Sequence, residues 1–225
     1  MPDWWSYEPA DFLLFSPRVY YRMLELHNAA LWPAQIAMLA LGVALLMTTP
    51  YGETTAQRIA GLMLGALWIW VAWSFLWERF ATINWAIAYI VPIFVAQGVA
   101  LSLSAARADF TPAAPGAVRR VGLALLGAAI LLYPLVAPAL GRPWSAAEVF
   151  GLMPDPTAVA TLAYLAIGRR SGWLMIVPVF WCALSTSTLW LLQVPEYFMP
   201  ITGALIAIAL RIVGTPLMTW RPRSR

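Results

Sequence analysis

The sequence predicts an all-α protein: a polytopic transmembrane bundle of about seven helices, preceded by an amphipathic helix at the membrane interface. Three observations carry this reading. The 225-residue chain is 62% hydrophobic and only 11% charged, with a mean hydropathy of +0.74. Soluble domains carry about 25% charged residues and must present water with a polar face. Its apolar residues fall in seven stretches joined by short polar or arginine-bearing links, and no alternating apolar–polar run is long enough for a transmembrane barrel.

Residues 1–30 form the interfacial N-terminal segment. No basic residue precedes the apolar part of its first sixteen residues and no small-residue cleavage site follows, so a cleaved signal peptide is not expected. Ser16 and Pro17 read as an N-cap and first helical residue. Arg18, Arg22 and Glu25 then share one helical stripe, with Val19, Tyr20, Met23 and His27 toward the other side. Such a helix lies in the headgroup region, and Arg18 and Arg22 are candidate lipid or partner contacts. Trp4, Trp5, Tyr7, Tyr20, Tyr21 and Trp32 belong at the same depth.

The bundle, residues 31–217, holds spans at Leu31–Thr49, Ile59–Trp77, Thr82–Ser104, Val121–Leu140, Pro156–Gly168, Gly172–Leu192 and Phe198–Leu217. Six are long enough for a hydrocarbon core that needs about 20 residues. Pro156–Gly168 is too short, so six spans plus a short or re-entrant helix is the alternative. Prolines 33, 92, 134, 138, 178, 200 and 216 lie in or near spans, where kinks are expected. Residues 218–225 form a basic tail.

All fourteen basic residues are arginine. In the seven-span arrangement ten lie on the side of the C-terminus and four on the other. The positive-inside rule then places the C-terminus in the cytoplasm and the N-terminus in the periplasm, in a bacterial inner membrane. The six-span alternative divides the arginines equally well, but it exports the short basic loop Arg107–Arg120. Absence of lysine removes Schiff-base chemistry, one cysteine allows no internal disulfide, and one histidine excludes multi-histidine metal or bis-histidine haem ligation. No catalytic pair, metal-ligand spacing or cofactor motif is present, so neither an enzyme nor a cofactor protein is expected. Nothing points to nucleic acid.

Four places could carry chemistry. His27, where the first helix meets the first span, is a candidate proton relay or ligand contact at the outer mouth, or a histidine satisfied within the interface. Trp70, Trp73 and Trp77 make an aromatic stripe suited to lipid or partner contact. In Phe150-Gly151-Leu152-Met153-Pro154-Asp155-Pro156-Thr157, Asp155 reads as an N-cap with Pro156 first in the helix. Asp155, Thr157 and Thr161 are the foremost candidate solute contacts, because half-helix termini serve this role in transporters. Hydroxyls at 185–188 and the amide of Gln97 suggest interhelical hydrogen bonds, Gln97 also being a candidate contact; Arg211 is placed to snorkel to the cytoplasmic headgroups.

Trp32-Pro33-Ala34-Gln35, the Phe-Gly-x-x-Pro-x-Pro-Thr stretch at 150–157, and Val177-Pro178 with Trp181 leading to Val194-Pro195-Glu196 carry a resemblance. Over about residues 25–210 the chain resembles a bacterial domain-of-unknown-function family of polytopic membrane proteins, family 6064. The resemblance implies a similar size and span pattern and brings no activity with it. Where that family often has Pro-Cys-Pro-Thr, this chain has Asp155 between the prolines, which removes a thiol or soft-metal role there.

Three function classes follow. A non-catalytic accessory or structural subunit of a membrane complex, or a homo-oligomer, ranks first. A passive permease for neutral small solutes ranks second. Ion-coupled transport fits less well, since the spans carry almost no ionisable residues; an intramembrane enzyme ranks last.

Overall fold

A computed structural model describes residues 14–51, 54–107, 116–168 and 172–214. Eight helical elements follow one another within them: α1 (Pro17–Leu31), α2 (Ala34–Thr48), α3 (Thr55–Ile83), α4 (Trp85–Ala106), α5 (Gly116–Ala139), α6 (Pro154–Ile167), α7 (Gly172–Leu191) and α8 (Met199–Gly214). The all-α expectation holds. Four of these, α3, α4, α5 and α7, are long and apolar enough to cross a membrane. That is fewer than the six long spans expected. Helix α2 is confined between Trp32-Pro33 and Thr49-Pro50, and α8 is described only to Gly214. Segment 218–225 and Trp4, Trp5 and Tyr7 lie outside the described residues.

Ser16 caps α1, its hydroxyl accepting from Val19 N at 3.4 Å, with Pro17 at the first position as the residue types require. Proline 33 cannot continue the helix, and α1 meets α2 at 90°. Tyr20, Met23, Leu24 and His27 turn inward, while Arg18 and Arg22 stay exposed.

Prolines 92, 178 and 200 each sit in the first turn of an α-helical stretch; in α4 and α7 a 3-10 stretch precedes it, so those two prolines mark a change of helix type. Pro134 does disturb α5, which passes from α through π to 3-10 geometry over 128–135. Helix α3 carries a nine-residue π stretch, Ala72–Phe80. It rotates the later tryptophans relative to a regular helix: Trp73 and Trp77 stand exposed, whereas Trp70 is half-buried with its ring edge-on to Trp73.

Helices α3 and α4 make the most extensive contact in the fold. Small residues allow it. A Cβ on Gly65 would come within 2.5 Å of the Gly98 carbonyl, and one on Gly61 within 2.6 Å of Ala105 Cβ. Helix α6 is the centre, touching α3, α5, α7 and α8. All fourteen of its residues are buried. Its apolar and small side chains run round the whole circumference, as a helix enclosed on every side requires. Trp68 Nε1 donates to Thr161 Oγ1 across this core at 2.9 Å, and Gln97 Nε2 donates to the Leu174 carbonyl at 2.8 Å.

Candidate functional site

The connection from α5 to α6 runs inward. Phe150, Leu152 and Met153 are completely buried, and Gly151 turns the chain with φ +79°. A side chain there would also meet Met38 Sδ at 2.9 Å, so glycine is required on two counts. Thr157 fastens the turn: its hydroxyl accepts from Gly151 N at 2.8 Å and donates to the Met153 carbonyl at 2.7 Å.

Helix α6 starts two residues earlier than expected. Met153 occupies the N-cap position, Pro154 the first turn, and Asp155 is not the cap. The Asp155 carboxylate instead reaches across to α7, accepting from Trp181 Nε1 at 2.7 Å and Ser185 Oγ at 2.6 Å. It is 2% exposed. A negative group in the first turn is also stabilised by the helix dipole.

Around this carboxylate the fold collects groups from the links between helices. Asp155, Glu148 and Glu196 line one small cavity with Tyr21, Tyr133 and Arg142. Its volume is about 10 Å³, room for about one water. Arg142 Nη2 lies 2.5 Å from Glu196 Oε1, and its guanidinium stacks 4.0 Å above the Tyr21 ring. Tyr21 Oη donates to the same carboxylate oxygen at 2.6 Å. Burial, reinforced by Asp155 and Glu196, pushes the Glu148 carboxyl well above its usual range, with Arg142 opposing. Three acids thus share one guanidinium.

Above this cluster opens a bowl of about 810 Å³ lined by Arg18, Arg22, Arg79, Arg142, Glu25 and Glu78 among others. Tyr21, Arg142 and Ala146 line both the bowl and the cavity beneath it. Arg22 Nη1 pairs with Glu25 Oε2 at 2.7 Å.

Of the residues marked from sequence, Asp155 alone lines this cluster. Thr157 and Thr161 are occupied in structural bonds, Thr161 donating to the Thr157 carbonyl at 2.7 Å and accepting from Trp68. Gln97 bridges helices. His27 does not face the mouth. It is 1% exposed and set edge-on to Phe75, with ring centroids 5.2 Å apart. Burial lowers its pKa to about 4, against a hydrogen bond to the Leu152 backbone. Arg18 and Arg22 belong to the bowl, whereas Trp73 and Trp77 project outward from α3. Arg211 donates to the Gly168 carbonyl, closing α8 onto the end of α6. Sequence reasoning missed Arg142, Glu148 and Glu196, which lie in two links, the first two between α5 and α6 and the third between α7 and α8. The one available signal was that a glutamate ends the Val-Pro-Glu stretch beside an apolar span.

The family of unknown function DUF6064 matches residues 17–219. No curated protein and no solved structure matches the chain. The chain belongs to the DUF6064 family.

Proposed function

We propose that this chain is a multi-pass protein of the bacterial inner membrane, acting as a non-catalytic accessory or structural subunit of a membrane assembly. Helices α2 to α8 would cross or enter the bilayer and α1 would lie along its surface, with the N-terminus periplasmic and the C-terminus cytoplasmic. The four long apolar helices support the membrane setting, as do large apolar side chains turned outward, among them Ile176, Leu205 and Ile212. The right angle between α1 and α2 supports the surface position of α1.

The observation that carries the subunit reading is how little space the polar cluster at the head of α6 encloses. The cavity beside Asp155 holds about one water, and the polar groups of α6 are engaged in hydrogen bonds within the fold. Partners would be lipid and either other membrane subunits or further copies of the chain.

The experiment is extraction from native membranes in mild detergent, with sizing and subunit stoichiometry. A defined complex of constant stoichiometry is expected. A lone monomer, also monomeric by crosslinking in intact membranes, would overturn the subunit reading.

One observation favours a second reading as a passive permease: the polar cluster lies directly beneath an open bowl, at the head of a helix too short to span. Osmotic swelling of proteoliposomes in glycerol, urea and small sugars tests it. Swelling no faster than in empty vesicles is expected if the interior stays closed; swelling that Asp155→Leu abolishes would favour the permease.

A further inference from the structure

We infer that the bowl between α1 and the end of α3 is a binding site for a phosphate ester anion, the class that includes phospholipid headgroups. The inference rests on the membrane reading above but is independent of the subunit role.

The bowl has the size of a small-molecule site, which ordinarily encloses about 300–1,000 Å³; its own volume is about 810 Å³. Four guanidiniums and two carboxylates line it, giving 4 − 2 = +2. Two of these guanidiniums have carboxylate partners: Arg22 with Glu25, and Arg142 with Glu196. Arg18 and Arg79 have none among the described residues. Neighbouring hydroxyls offer no competition, since Tyr21 donates to Glu196 and Thr82 donates to the Arg79 carbonyl.

A second observation points to a missing acceptor. Arg142 lines both bowl and cavity; its Nε is buried and donates to nothing among the described residues, while Glu196 Oε2 beside it accepts from nothing. A buried donor without an acceptor costs about 1–3 kcal/mol. An anionic oxygen entering the bowl would supply that acceptor. Guanidinium forks match the tetrahedral oxygens of phosphate through paired, charge-assisted hydrogen bonds. Val19, Leu26 and Ile83 line the same bowl and give the ester side an apolar surface.

The test uses the purified full chain and the variant Arg18→Gln/Arg79→Gln, with thermal unfolding as the folding control. Native mass spectrometry from nanodiscs compares retention of phosphatidylglycerol with that of monoglucosyl diacylglycerol, which lacks phosphate. Calorimetric titration with inorganic phosphate and glycerol phosphate forms the soluble arm. Selective retention of one phosphatidylglycerol, weakened about tenfold or more in the variant, supports a lipid headgroup. Saturable binding of the soluble phosphates with the same loss in the variant supports the anion site with a soluble source. Absence of both, or binding equal in a variant that melts like the wild type, overturns the inference. Failure here with the chain still retained in carbonate-washed membranes would leave the membrane reading standing.

Discussion

Replacing Asp155 separates the two jobs its carboxylate can do. In Asp155→Ala, Trp181 Nε1 and Ser185 Oγ both lose their acceptor inside the core. Each stranded donor costs about 1–3 kcal/mol, so about 2–6 kcal/mol in total. For a chain of this length each kcal/mol shifts the melting midpoint by about 2–4 °C. Taking about 3 kcal/mol gives a fall of roughly 6–12 °C. Asp155→Asn removes the charge but keeps the shape. Its amide oxygen can accept from Trp181 and its amide nitrogen can donate to the Ser185 hydroxyl, so the loss should stay within about 1 kcal/mol. The molecule supplies its own reporter. Cys182 is the single cysteine of the chain and is 0% exposed. A thiol-reactive dye added during heating in detergent therefore reads core opening directly. If the alanine variant melts with the wild type, the hydrogen-bond node does not hold α6 to α7. If asparagine is as damaging as alanine, the charge and not the bonding is what the fold requires.

Gly65→Ala should lower the midpoint in the same assay by an amount matching about 1–3 kcal/mol, because its Cβ would sit 2.2 Å from Ser102 Oγ and 2.5 Å from the Gly98 carbonyl. A neutral effect would mean that α3 and α4 are less closely joined. His27 should make the fold acid-sensitive: with a folded pKa of about 4 against 6.5, its contribution is complete above pH 6.5 and is lost as pH falls toward 4, up to about 3 kcal/mol. His27→Phe, which can keep the edge contact with Phe75, should flatten that part of the pH profile; an unchanged profile refutes the assignment. Arg142→Gln should cost about 3–5 kcal/mol by leaving Glu196 buried without its cation, and adding Glu196→Gln should recover part of it. Strict additivity in that cycle would show that the pair is not coupled.

The seven apolar stretches located helices α2 to α8, since long apolar runs leave the backbone little choice but helix. Ser16-Pro17 gave the start of α1 for a local reason, a side-chain cap plus a proline without a donor to lose. Helix lengths were harder to read. The π stretch in α3 and the mixed turns of α5 depend on packing against α1, α4 and α6, which no window of sequence contains. The same holds for Asp155. Residue type and a following proline suggest a cap, but the nearby indole and hydroxyl of α7 offer the carboxylate two donors that a local reading cannot see. Charge was the least legible property. The apolar helices themselves carry few ionisable groups, yet the links between them fold back over the end of α6. They bring Arg142, Glu148 and Glu196 together from both sides of that helix in sequence.

That convergence raises an electrostatic problem whose solution can be tested. Three carboxyl groups line one cavity with one guanidinium, and like charges in a space of that size repel strongly. Arg142 is committed to Glu196, and Asp155 accepts hydrogen bonds from Trp181 and Ser185. Glu148, half-buried, has no comparable partner among the described residues, and both desolvation and its acidic neighbours raise its pKa. The economical arrangement is a Glu148 that keeps its proton. The folded chain then binds one more proton than the unfolded chain between the ordinary glutamate value of 4.5 and the raised value. Stability must fall as pH rises through that window. Glu148→Gln, a neutral mimic of the protonated acid, should melt at least as high as the wild type near neutral pH and should remove that decline. A glutamine variant that melts lower than wild type at neutral pH would mean that Glu148 is ionised in the fold, with a countercharge beyond Arg142.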